Sequence, residues 1–66
     1  QDDYATATER LGQAIDREEG NWQLYYLRAR VAHKAGDEEA ARADLAEAQR
    51  LNPEEKCLRE GYEGCG

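Results

Sequence analysis

The stretch WQLYYLRARVAHKAGDEEAARADLAEAQRLNP, residues 22–53, holds two apolar stripes at helical spacing that meet at Gly36-Asp37. In its second half Ala41, Leu45 and Ala48 recur at i, i+4 and i+7, the pattern of one helix face turned to a core. Shifting the chain by 34 residues lays Asp3 on Asp37, Ala7 on Ala41, Leu11 on Leu45, Ala14 on Ala48 and Leu24 on Leu58. The unit that repeats is therefore helical, and its length is one helix pair.

Local chemistry sets the boundaries. Asp2 or Asp3 is placed to cap a first helix bearing Tyr4, Ala7, Leu11, Ala14 and Ile15, which ends before Gly20. Asn21 is placed to cap a second helix from Trp22 to about Ala35, closed by Gly36 in the left-handed region. Asp37 caps a third, with Glu38 and Glu39 in the first turn where the helix dipole favours negative charge. Pro53 stops that helix near Leu51 and suits the first position of a fourth, with Glu54 and Glu55 after it. Gly61, Gly64 and Gly66 keep this last helix short.

Residues 22–53 resemble one complete tetratricopeptide repeat. Tyr25 stands as the early aromatic, Arg28-Ala29 as the mid-helix pair, Gly36-Asp37 at the turn, Ala41, Leu45 and Ala48 on the second helix and Leu51-Asn52-Pro53 at the end. Residues 3–20 are similar to the second helix of a preceding repeat, and residues 54–66 to a partial following helix with a cysteine-bearing tail. Ala32 departs from the family's aromatic preference. The resemblance implies an all-α fold of antiparallel helix hairpins, about one and a half to two repeats in a single domain over 1–66. It also implies a concave groove for partner peptides lined by Gln23, Tyr26, Arg30, His33 and Lys34. Tyr25, one position from Tyr26, is expected in the core, since aromatics at helical spacing more often pack between helices. The family's Asn-based grip on a peptide carboxylate has no counterpart at these positions.

The formal net charge of −6 argues against nucleic acid as a partner. No apolar run reaches the ~20 residues of a membrane span. Catalysis is not expected: Ser is absent, His33 is the sole histidine and reads as a solvated side chain, and no phosphate loop, metal ligand set or cofactor motif occurs. Carboxylates sit at helical spacing to arginines, as in Glu38 with Arg42 and Glu47 with Arg50, which suits a solvated exterior. Residues 22–36 carry three basic and no acidic side chains, so this segment is +3 and the remainder −9. A basic face on an acidic body steers acidic partners, and another copy of the chain is acidic.

Cys57 and Cys65 enclose Gly61 and Gly64, and a disulfide between them would stabilise by about 2.5 kcal/mol through loop closure. Free thiols in a cytoplasmic protein and a bridge between chains are the alternatives. The even cysteine count, with a chain that starts at Gln1 and has no Met, favours a processed, exported polypeptide over an excised domain. The function expected is protein association. A structural subunit would join copies of itself head to tail, because an offset of two 34-residue periods nearly equals the chain length of 66 and such a contact propagates into an open filament. An adaptor that takes a foreign peptide in the groove is the second reading.

Overall fold

The computed structural model describes residues 3–62, 64 and 65. Three α-helices of equal length follow one another: α1 (Tyr4–Arg17), α2 (Trp22–Ala35) and α3 (Glu38–Leu51), then a 3-10 turn, η1 (Lys56–Glu60). Each α-helix starts at the side-chain cap its sequence supplies. The Asp3 carboxylate accepts from the Thr6 amide, Asn21 from Gln23 and Asp37 from Ala40, so one orphan donor per helix is satisfied. Asp2, the other candidate cap, lies outside the described residues. Gly36 closes α2 at φ 88°, and its amide and that of Asp37 return to the last carbonyls of the helix.

Helix α2 packs between α1 and α3, and η1 packs on α3. Small side chains make this possible. Ala29, Ala41 and Ala48 are wholly buried and Ala32 nearly so, which lets the backbones approach closely; Ile15, Tyr26 and Leu58 complete the core. Ala32 occupies its position as packing, with no aromatic needed there.

The fourth helix differs from expectation. Pro53 and Glu54 form a turn, Glu55 is extended, and only the single 3-10 segment Lys56–Glu60 follows, without a side-chain cap. Five residues with no capping side chain cannot repay helix nucleation. Leu58 is nevertheless anchored: its side chain joins Tyr26 and Ala48 in the core, and its carbonyl accepts from the Gln49 amide group.

Candidate functional site

The residues expected to line a groove lie on α2, and Tyr62 and Cys65 of the same chain contact two of them, Tyr26 and His33. The Cys57–Cys65 disulfide is formed within the chain, its Cα atoms 4.9 Å apart. Bridging Cys65 back to η1 brings the backbone of Tyr62 and Cys65 to the Tyr26 hydroxyl. That hydroxyl donates to the Tyr62 carbonyl at 2.7 Å and accepts from the Cys65 amide at 2.9 Å. Gly64 is fixed by a close approach, since a Cβ there would sit 2.3 Å from the Cys57 carbonyl oxygen.

Tyr26, expected to line the groove, is covered in this structure. Only 3% of it is exposed, because η1 and the bridged segment cover the side of α2 that carries it, and it is unavailable to an outside partner. Its ring stands 6.4 Å from that of Trp22, and the Arg30 guanidinium lies 6.0 Å over its face. Tyr25, expected in the core, is half-buried against the same cluster.

His33 is likewise engaged. Its ring stacks on Tyr62 with centroids 4.3 Å apart and planes 19° from parallel. Its Nδ1 stands 2.9 Å from a Glu38 carboxylate oxygen, so Nδ1 carries a hydrogen there, the carboxylate being an acceptor only. This replaces the expected Glu38 partnership with Arg42; the Glu47 partnership with Arg50 is present. Gln23 and Lys34 are exposed, and Arg30 is half-buried. Of the five groove residues, the structure thus gathers Tyr26, Arg30 and His33 around the bridged segment and leaves Gln23 and Lys34 at the surface.

The bridge matters to this arrangement on simple magnitudes. Fixing Gly61, Tyr62, Gly64 and Cys65 costs about 4–8 kcal/mol in backbone entropy. Two hydrogen bonds at about 1 kcal/mol each and one ring pair at about 1 kcal/mol return about 3 kcal/mol. Closing the loop contributes about 2.5 kcal/mol more, which brings the two sides close to balance.

The basic character of α2 is smaller than its sequence implies. Arg28 is spent on α3, with its Nε and Nη2 donating to the Asp44 carboxylate at 2.8 and 2.9 Å. The hydrogen bond it donates to Asp44 raises the Arg28 pKa above its already high ordinary value. The pair was legible in principle, because Arg28 and Asp44 are equidistant from Gly36 and so face each other across an antiparallel hairpin.

Openings at the surface include two between the helices. One, of about 620 Å³, runs between α1 and α3 and is lined mainly by small side chains, among them Ala5, Thr8, Ala32, Ala40 and Ala43. The other, of about 720 Å³, is a notch between α1 and α2 bordered by Tyr4, Ala7, Arg10, Val31 and Lys34. Among the described residues no group of three metal-binding side chains gathers, and no helix is long and apolar enough to cross a membrane. Comparison with protein-family models, with curated proteins and with solved structures finds no match.

Proposed function

We propose that the chain is a non-enzymatic helical unit of tetratricopeptide type that associates with copies of itself, head to tail. The observation that carries this reading is an asymmetry between two equivalent positions. Ala41 on α3 is wholly buried beneath the neighbouring helices, whereas Ala7, its equivalent on α1, is half-exposed at the edge of the α1–α2 notch. A face built to the same pattern is covered in one place and open in the other, as expected where the covering element comes from a neighbouring copy. Arg10 and Lys34 border that notch with Asp3 as its one acidic neighbour, so its net positive rim complements an acidic segment of a second copy. A contact between two different surfaces propagates into a filament unless rotation closes a ring.

The adaptor reading has less support, because Tyr26 and His33 already hold a segment of their own chain. The disulfide supports an exported protein in an oxidising compartment. Light scattering over a wide concentration range, with negative-stain microscopy of the same samples, tests the association. Growth in mass that Ala7→Arg abolishes, with helicity unchanged, is the expected outcome; a monomer at every concentration would overturn it.

A further inference from the structure

The segment held on α2 has the character of an intramolecular ligand. It offers one aromatic ring, stacked on His33, and two backbone groups, a carbonyl and an amide, both taken by one phenol. It is tied down by a bond that chemistry can open. Cys57 and Cys65 are both half-buried rather than enclosed, and Cys65 lines a shallow pocket of about 220 Å³ with Trp22, Leu27 and Arg30. Leu27, in the lining of that pocket, is a large apolar side chain left exposed.

We propose that the Cys57–Cys65 bridge is a redox latch, and that reducing it opens on α2 a site for an extended peptide bearing an aromatic residue. A dithiol reductant supplies two electrons and two protons; the S–S bond breaks, Cys57 and Cys65 become thiols, and the reductant leaves as its own disulfide. Without the loop constraint, Tyr62 and Cys65 leave the Tyr26 hydroxyl and the His33 ring. Tyr26 then exposes a phenol able to donate to one backbone carbonyl and accept from a backbone amide, and His33 a ring face for stacking. The three α-helices are expected to stay folded, since Ala29, Ala32 and Ala41 are buried apart from the cluster of Tyr26, Ala48 and Leu58 on which Cys57 and Cys65 pack. None of this depends on whether copies associate.

The test follows amide exchange and the His33 ring protons by NMR in the whole chain, oxidised and then reduced with dithiothreitol, with Cys57→Ser/Cys65→Ser as a second opened form. Opening is expected to cut protection of the Cys65 amide at least tenfold and to remove the ring-current shift of His33, while amides in the middle of α2 and α3 keep theirs. A Cys65 amide and His33 shift that survive opening would overturn the latch. Loss of protection throughout α2 and α3 would overturn it too, making the bridge a staple of the whole fold. For the site itself, Tyr62→Ala removes the competing ring, and the probe is the acetylated, amidated peptide Gly-Tyr-Glu-Gly-Ser. Binding at least tenfold tighter to the reduced than to the oxidised Tyr62→Ala chain is expected; equal affinity, or no binding to either, would overturn the peptide site.

Discussion

The guanidinium of Arg28 forks onto the carboxylate of Asp44 through two hydrogen bonds and ties α2 to α3 midway along both helices. Its reach extends to α1: a Cβ built on Gly12 would lie 3.7 Å from an Arg28 terminal nitrogen. The side chain thus joins α2 to α3 and lies close to α1. With Arg28 28% and Asp44 13% exposed, Arg28→Ala is expected to cost about 1–2 kcal/mol, the lower half of the range for charged hydrogen bonds in a pair still partly wet. Urea unfolding of Arg28→Ala, Asp44→Ala and the double variant measures it. Additive losses would show that the two side chains act separately.

Tyr26→Phe keeps the ring and removes only the hydroxyl. It orphans the Cys65 amide and the Tyr62 carbonyl together, so a loss of about 1–2 kcal/mol is expected. Thermal unfolding of the oxidised protein gives the number. An unchanged midpoint would mean that water replaces the phenol at no cost.

Asp3 makes the α1 cap sensitive to acid. Its carboxylate accepts from the Thr6 hydroxyl and amide, and these bonds hold its pKa below the ordinary 3.8. A depressed folded pKa gives stability that is present above the unfolded value and lost as pH falls through the folded one. Protection of the Thr6 amide should therefore be constant from neutral pH to about 4 and fall in the more acid range. Glu47, held low by its hydrogen bond from Arg50, titrates with the same sign. In Asp3→Asn, which still caps, the Thr6 dependence should flatten; persistence of the acid loss would assign it to another group.

Two glycines should respond oppositely to alanine. Gly12 lies inside α1, and the added methyl meets Arg28 at ordinary van der Waals distance, so Gly12→Ala should stabilise by about 1 kcal/mol through helix propensity. Gly64→Ala drives a Cβ into the Cys57 carbonyl and the Glu60 Cβ. That variant should loosen the bridged segment, seen as faster exchange of the Cys65 amide in the oxidised protein. Equal and small effects at both sites would remove the steric argument.

The α-helices were readable because their signals are local. Asp3, Asn21, Gly36 and Asp37 each state a boundary within a few residues of themselves, and the Ala41, Leu45, Ala48 stripe states a face. Tyr25 and Tyr26 show where such reading ends. Both fit a helix, and which one is buried depends on a segment some 36 residues later folding back onto α2. Helical periodicity gives an angle around an axis, and what stands at that angle is a tertiary fact. For the same reason the groove residues Gln23, Arg30, His33 and Lys34 were placed on one helix from sequence, whereas the Tyr62 stack on His33 was not. The disulfide pairing was accessible because two cysteines eight residues apart with glycines between them limit the geometry.

The alanine core sets the calorimetry of the molecule. Among the described residues, four of the seven buried apolar ones are alanines, and Leu58 is the one large side chain wholly enclosed. Unfolding such a core exposes little hydrocarbon per residue, and exposed hydrocarbon is the main source of the positive heat-capacity change. The free energy of unfolding should then vary gently with temperature, with a broad summit and a shallow approach to the midpoint. Urea should likewise act with a low slope. The fold gives up height on its stability curve and gains width.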